Sequence, residues 1–250
     1  MRILISNDDG INAPGFAVLE RIAESLSDDV WVVAPEIEQS GAGHSLTLHR
    51  PLRVRHIDAR HMAVDGTPTD CVMLALNNLI SGERPGLMLS GVNRGSNIAA
   101  DVTYSGTIAA AMEGTILGVP SIALSQHYDD GDNIRWQTVE AHAPRLIRRL
   151  IAEGWPDNVL INLNFPDREP DDLAGIEVCR QGNYKNGDVL TERLDPRGRP
   201  YYWIGEMRNT GQKIPGTDSA AIEQGVITVT PLCLDLTHEP TMARLGDALK

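Results

Sequence analysis

Two adjacent aspartates, Asp8 and Asp9, are the first residues of this chain with types and spacing that could do chemistry. They follow the apolar run at residues 2–6 and precede Gly10. Two carboxylates in one concavity repel each other unless a cation or hydrogen bonds compensate, and hard divalent cations prefer oxygen ligands. Read alone, Asp-Asp-Gly is also typical of a polar turn or a helix cap. The pair therefore predicts a metal site if further oxygen ligands reach it.

Two later segments can supply such ligands. Ser40 stands beside Gly41 in the first of them, and the second, residues 90–97, carries Asn93 and Asn97 among glycine and serine turn positions. Hydroxyl and carboxamide oxygens beside carboxylates suit Mg²⁺ or Mn²⁺ better than Zn²⁺, which prefers Cys and His. Each segment taken alone is equally compatible with an ordinary turn.

An anion-binding helix start is predicted at Ser105, Gly106 and Thr107, directly before an apolar stretch. The first turn of a helix offers unpaired N–H groups and a positive dipole end, and the two hydroxyls can donate to phosphoryl oxygens. We expect Thr107→Ala to weaken phosphate binding and not metal binding. The alternative is that Ser105 or Thr107 only caps the helix.

The elements that must position these residues alternate between strand and helix. Apolar runs predict strands at residues 2–6, 30–34, 87–90, 121–125 and 159–165. Helical spacing predicts helices at residues 16–26, 70–80, 106–117 and 136–153. This order predicts an α/β fold with a doubly wound, mainly parallel sheet, Rossmann-like and three-layered α/β/α. Because ligands of such sheets lie outside the carboxyl ends of the strands, Asp8 and Asp9 are expected at that edge.

Two regions of the chain depart from this alternation of strand and helix. Residues 45–64 predict a small β insertion, and the α/β core, residues 1–166, is expected to carry the metal and phosphate site. Residues 167–250 are interpreted as a β-rich extension packed on the same domain, with strands at 201–204 and 226–230. The apolar strand at 201–204 predicts an oligomerisation arm and a homodimer or homotetramer.

Bulk properties exclude some classes of protein. The net charge of −12, with 22 basic and 34 acidic residues, argues against binding a nucleic-acid polymer. Three widely spaced cysteines predict neither a disulfide framework nor a cysteine metal site. No apolar stretch suggests a signal peptide or membrane span, so a cytoplasmic protein without membrane association is expected.

Taken together, these segments resemble the SurE family of stationary-phase survival proteins. The resemblance rests on residues 7–10, Ser40 with Gly41, residues 90–97, and residues 104–107 with 110–114, in this order and spacing. It is clear from residue 1 to about 166. Weaker matches lie at residues 65–70 and 216–218.

The resemblance implies a phosphomonoesterase that releases phosphate from nucleoside 5′- and 3′-monophosphates. It implies one divalent cation per subunit, Mg, Mn or Co, held by Asp8, Asp9, Ser40 and Asn93. The expected catalytic residues are Asp8, Asp9, Asn97 and Ser105, and the expected substrate-binding residues are Ser105, Gly106, Thr107 and Asn97. Preferred nucleotide and preferred metal stay open.

Several alternatives accompany this interpretation. Direct attack by water is favoured over attack by an aspartate, because phosphatases with an aspartate nucleophile use a D-x-D pair. His44 or Asp101 could assist proton transfer. A dehydrogenase is disfavoured because the first turn lacks G-x-G-x-x-G. A broader phosphatase or exopolyphosphatase, and a noncatalytic nucleotide or metal sensor, remain alternatives.

Overall fold

The structure, a computed structural model, describes residues 1–131, 133–183, 190–204 and 214–250. A nine-stranded sheet is its centre, with strand order β3-β4-β2-β1-β5-β6-β7-β11-β8. The pairs from β4 through β7 are all parallel, and β3 and β11 pair antiparallel with β4 and β7. The predicted doubly wound, mainly parallel sheet is confirmed.

The bounds of the elements follow the predicted order closely in the first two thirds of the chain. The strands are β1 (Ile3–Ser6), β2 (Val30–Pro35), β3 (Val54–His56), β4 (His61–Val64), β5 (Leu87–Arg94), β6 (Ser121–Gln126), β7 (Val159–Phe165), β8 (Gly175–Val178), β9 (Leu190–Leu194), β10 (Pro200–Ile204) and β11 (Val226–Cys233). The α-helices are α1 (Pro14–Glu24), α2 (Pro68–Leu74), α3 (Gly106–Ile116), α4 (Trp136–Glu153), α5 (Asp218–Ile222) and α6 (Glu239–Ala248). A π-helical turn continues α2 over Ala75–Leu79, and short 3-10 turns span Ala99–Thr103 and Pro170–Asp172.

Helices cover both faces of the sheet. Ile3 and Ile5 of β1 pack in one apolar cluster with α1 and α4, whereas Leu4 packs in a second cluster with α2 and α3. Successive residues of a strand point to opposite faces, so a strand buried on both sides needs apolar residues at every position. This is why β1 has a continuous apolar run and why the fold has three layers.

The strand order reverses beside β1. β1 lies between β2 and β5, so the chain winds from β1 to one side and returns to the other. In open α/β sheets, ligands bind in the crevice outside the carboxyl ends of the strands at such a switch point. Asp8 and Asp9, which follow β1, therefore stand at the expected place.

Strand β5 is longer than predicted. It continues from Ser90 to Arg94, with a shift of its register against β6 between Ser90 and Asn93. The chain approaches β6 very closely here. A Cβ added to Gly91 would lie only 2.2 Å from the Leu124 carbonyl oxygen. Asn93 is therefore held on a strand and not on a free loop, and the sequence signals of a turn concealed this.

The C-terminal region contributes to the same sheet. β11 pairs with β7 and β8 pairs with β11, while β9 and β10 form a separate antiparallel hairpin. The antiparallel hairpin agrees with the predicted β extension, but the two helices α5 and α6 were not predicted. Within the described residues, no helix is both long and apolar enough to cross a membrane.

Candidate active site

A cavity of about 420 Å³ opens at the carboxyl edge of β1 and β5. Its walls include Asp8, Asp9, Ser40, Asn93, Asn97 and Ser105. The structure thus brings all four predicted metal ligands together with two of the predicted substrate-binding residues. Gly106 and Thr107 are buried directly behind this wall.

Asp8 is the buried member of the carboxylate pair. Only 4% of its surface is exposed, and its Oδ1 accepts a hydrogen bond from the Thr107 hydroxyl. Burial raises the pKa of Asp8, although that hydroxyl and the backbone amides of Gly106 and Thr107 act in the opposite direction. The start of α3 therefore stabilises the charge of Asp8.

Asp9 is less buried and is turned toward Arg94. Its Oδ2 accepts a hydrogen bond of 3.2 Å from the Arg94 backbone amide. Burial raises the pKa of Asp9 to about 6, and the neighbouring charge of Asp8 adds to this rise. A divalent cation between the two carboxylates would remove the repulsion that their burial creates.

Ser40 and Asn93 each keep an oxygen for a cation. The Ser40 hydroxyl donates to Glu38 Oε1 at 2.7 Å, so the lone pairs of the Ser40 oxygen are available to a cation. Asn93 Nδ2 donates to the Gly95 carbonyl oxygen at 2.8 Å, so its Oδ1 is the atom available as a ligand.

This donor set fits a hard divalent cation and does not fit zinc. It consists of two carboxylates, one hydroxyl and one carboxamide, all of them oxygen donors. In the described part of the chain, no group of three or more His, Cys, Asp or Glu side chains could hold a metal ion. The candidate site therefore depends on its neutral oxygen ligands as much as on its acids.

The two hydroxyls at the start of α3 have different roles. Ser105 Oγ accepts from the Ile108 backbone amide at 3.1 Å and caps the helix, while Ser105 also lines the cavity. The Ser105 O–H remains able to donate to an anion. The Thr107 hydroxyl, by contrast, is fully buried and donates to Asp8. In this structure the side chain therefore contacts a candidate metal ligand, whereas the sequence predicted a direct contact with phosphate.

Thr107→Val is therefore expected to weaken metal binding, contrary to the expectation from the sequence. The change keeps the shape of the side chain and removes its donor to Asp8. Outer-shell partners that orient a metal ligand typically contribute about 10- to 100-fold to metal affinity, so the affinity should fall by roughly this factor. Titration calorimetry of Mn²⁺ binding measures this directly.

Thr115→Val is the matched control. Thr115 is also buried in α3, and its hydroxyl donates to the Ala111 carbonyl oxygen, away from the cavity. The control should bind Mn²⁺ like the parent protein. Unchanged Mn²⁺ affinity in Thr107→Val, together with weaker inhibition by phosphate, would restore the original assignment of this hydroxyl to the anion.

Asn97 is held by two buried carboxamides that none of the sequence motifs indicated. Its backbone amide donates to Asn164 Oδ1 at 2.8 Å, and its carbonyl oxygen accepts from Asn162 Nδ2 at 2.8 Å. Its own Nδ2 donates to Ser125 Oγ at 2.9 Å. Two asparagines spaced by two in an apolar strand were the available signal, because such side chains share a face and need partners when buried.

The two residues considered for proton transfer are separated by the structure. Asp101 lines the cavity. His44 does not belong to the wall of the cavity, and its Nε2 lies 3.0 Å from Glu113 Oε2 on α3. Tyr104, which is 45% exposed, and Tyr128, whose ring packs against the Arg94 guanidinium, also line the cavity.

A second cavity, of about 350 Å³, lies at the opposite end of the sheet near Glu20, Glu24 and His61. His61 is already paired there, with Nε2 at 2.6 Å from Glu20 and Nδ1 at 2.9 Å from Asp58. It lies at the beginning of β4 and not at the carboxyl edge. The cavity at the switch point is therefore the better candidate for the active site.

Comparisons with known proteins show what this chain is similar to. A family model described as survival protein SurE matches residues 3–188. A 5′-nucleotidase SurE of Paramagnetospirillum magneticum is 61% identical over 248 residues, covering 99% of this chain and 95% of that protein. One of Parvibaculum lavamentivorans is 56% identical over 252 residues, covering 100% and 91%. The crystal structure of the SurE protein from Aquifex aeolicus has a TM-score of 0.87 at 39% identity and full coverage of both chains.

Proposed function

Because the chain belongs to the SurE family, we propose that it is a 5′-nucleotidase that releases phosphate from nucleoside monophosphates. The observation that carries this proposal is the convergence of Asp8, Asp9, Ser40 and Asn93 on one cavity at the switch point of the sheet. Relatives named 5′-nucleotidase SurE, 56% and 61% identical along almost the whole chain, support the same activity.

The activity is proposed to depend on one divalent cation per subunit, Mg²⁺, Mn²⁺ or Co²⁺, held by these four residues. When bound, such a cation neutralises phosphoryl oxygens and activates a water. The raised pKa values of Asp8 and Asp9 support the proposal, because a buried pair of carboxylates needs a compensating positive charge.

The other residues of the cavity orient the substrate in this proposal. The Ser105 hydroxyl donates to a phosphoryl oxygen while its lone pair continues to cap α3. Asn97 has its backbone fixed by β7 and donates one Nδ2 hydrogen to Ser125, so its second Nδ2 hydrogen is the one that reaches the same group. Preorganised donors of this kind stabilise the charge that develops as the P–O bond breaks.

Phosphate release from a panel of nucleoside 5′- and 3′-monophosphates, polyphosphate and simple phosphate esters tests the function. Each substrate is measured after chelation and after addition of Mg²⁺, Mn²⁺ or Co²⁺. We expect metal-dependent release from the nucleotides. Nucleotide binding without release would identify a sensor, and equal rates on all substrates would identify a broad phosphatase or an exopolyphosphatase.

The hairpin formed by β9 and β10 is proposed to bind a second copy of this chain. Tyr201, Tyr202, Trp203 and Ile204 are 42–75% exposed on it. An isolated two-stranded hairpin is only marginally stable in water, and an exposed apolar patch is typical of a protein interface. A homodimer or homotetramer would cover this surface.

Trp203→Ser is expected to shift the protein toward the monomer, since it removes a large apolar side chain from this surface. Size-exclusion chromatography with light scattering at micromolar concentration measures the mass. Ile57→Ser is the control, because Ile57 is 50% exposed outside the hairpin. A parent protein that is monomeric and active under these conditions would contradict an obligate assembly.

A cytoplasmic location and the division of the chain at residue 166 stay predictions. Cys71, Cys179 and Cys233 are free thiols, which is compatible with a reducing compartment. Fractionation of cells that produce the protein would test the location.

A further inference from the structure

A buried carboxylate outside the cavity ties three backbone segments together. Asp218 is fully buried at the start of α5. Its Oδ2 accepts from the Ala99 amide at 3.1 Å, and its Oδ1 accepts from the Gly182 and Ser219 amides at 2.8 and 2.7 Å. The function proposed above makes no use of this residue. Its position nevertheless connects the C-terminal region with the segment that carries Asn97.

Ala99 has an unfavourable backbone conformation at this contact. Its φ is +50°, and no other non-glycine residue in the described ranges has a positive φ. The left-handed conformation brings the Cβ of an L-residue too close to the backbone, so it persists where the surroundings over-determine it. Here the Ala99 amide donates to Asp218, and its carbonyl oxygen accepts from Gln181 Nε2 at 2.7 Å.

This strained residue lies in the chain between two residues that line the active site. Asn97 and Asp101, two residues to either side of Ala99, both line the cavity. The peptide groups of Asn97 are fixed by Asn162 and Asn164 on β7. A change in the backbone at Ala99 would therefore redirect the chain beyond Asn97 and move Asp101.

We propose that Asp218 is a positioning residue of the active site, which holds Ala99 in the left-handed conformation and so places Asp101 against the substrate. The inference rests on the proposed phosphatase activity and deepens it. Asp218 does not touch the substrate in this account. It acts through the backbone of the segment at residues 97–101.

Gly182 shows how closely the parts of this junction are packed. A Cβ added at Gly182 would lie 2.8 Å from Ser219 Oγ, 3.0 Å from Ala99 Cβ and 3.1 Å from Asp218 Oδ1. Gly182→Ala would therefore press on Ala99 and on the Asp218 carboxylate without replacing either residue. It is a second way to disturb the junction.

Asp218→Asn is the first test. The amide keeps the volume of the side chain but presents an NH₂ group to backbone donors, so at least one of the three hydrogen bonds is lost. Small misplacements of orienting groups lower turnover strongly, so we expect kcat on a nucleoside monophosphate to fall about 10-fold or more. KM and the Mn²⁺ affinity should change little, and hydrogen exchange of residues 97–101 should become faster.

The second test is rescue by Ala99→Gly in the Asp218→Asn background. Glycine adopts positive φ without the steric cost of alanine, so the segment should regain its conformation more often and kcat should recover in part. Asp70→Asn is the matched control. Asp70 is also fully buried and accepts from the Thr47 and Thr67 backbone amides, away from the cavity. It should lower the melting temperature and leave kcat per folded molecule unchanged.

The outcomes separate this inference from the proposed function. Parental kcat in folded Asp218→Asn, an equal kcat loss in Asp70→Asn, or no rescue by Ala99→Gly would each overturn it. If Asp218→Asn does not fold, Gly182→Ala is judged by kcat and by hydrogen exchange of residues 97–101. A parent protein without phosphatase activity would refute the proposed function, and hydrogen exchange at residues 97–101 would then decide whether Asp218 holds the segment.

Discussion

Asp9→Asn is expected to lower both metal affinity and phosphate release by more than roughly 100-fold, since changes to mere outer-shell partners of a metal already cost about 10- to 100-fold. The substitution removes a ligand charge with almost no change in volume. Mn²⁺ titration and phosphate release under saturating substrate measure the two effects. Glu36→Gln is the charge-matched control, because Glu36 pairs with Arg55 on the surface and does not line the cavity.

The same variant should be at least as stable as the parent protein when metal is removed. Burial and Asp8 raise the pKa of Asp9 to about 6, from an ordinary value of 3.8. The folded state then binds more protons than the unfolded state between these values, so the metal-free parent loses stability as pH rises through this range. The metal-free Asp9→Asn variant should lose less stability than the parent over the same pH range. Melting temperatures in chelator between pH 4 and 7 check the sign.

Two results would contradict this account of Asp9. Full metal-dependent activity in folded Asp9→Asn would remove Asp9 from the ligand set. A steeper loss of stability with rising pH in the metal-free variant than in the parent would show that Asp9 is not the destabilising group.

Gly106→Ala is expected to disable the site by moving Asp8. A Cβ at this position would lie 2.6 Å from Asp8 Cβ and 3.0 Å from Asp8 Oδ2, so either the carboxylate or the first turn of α3 has to shift. Because a displacement of about 1 Å in catalytic groups can cost 100-fold, we expect a loss of this order in kcat together with weaker metal binding.

Two other glycines separate this effect from general consequences of a methyl group. Gly246 in α6 has nothing within 4 Å of an added Cβ, so Gly246→Ala should leave activity unchanged and should stabilise its helix by about 0.5–1 kcal/mol. In Gly114→Ala, the Cβ would lie 2.5 Å from Ser121 Oγ, so stability should fall while metal affinity is kept. If Gly106→Ala behaved like Gly114→Ala, the contact with Asp8 would not matter for the metal.

The sheet and the clustering of the candidate ligands at its edge could be predicted because they depend on local signals. Continuous apolar runs identified the buried parallel strands, and the fixed edge at which such strands end placed Asp8, Ser40 and Asn93 together. The end of β5 was predicted at Ser90 because glycine and asparagine suggest turns. That strand continues to Arg94, where tertiary pairing with β6 overrides the local signal.

Contacts between distant segments explain what the sequence did not reveal. Thr107 and Asp8 are 99 positions apart, so a hydroxyl beside a helix start could not be distinguished from a phosphate ligand. The hydrogen bond from Ala99 to Asp218 spans 119 positions. Helix α6 has no buried residue, so its sequence carries no pattern of buried apolar positions from which the helix could be recognised.

The walls of the cavity differ in how freely a protein engineer could vary them. Asn97 is hydrogen-bonded through its backbone and its side chain, and Asp8 is in contact with the start of α3, so substitutions at either position would spread into the sheet. Tyr104 instead exposes 45% of its surface. Libraries intended to change which phosphate ester is accepted should therefore be directed to Tyr104 and its exposed neighbours, where new side chains can alter the fit of the leaving group while the metal ligands stay in place.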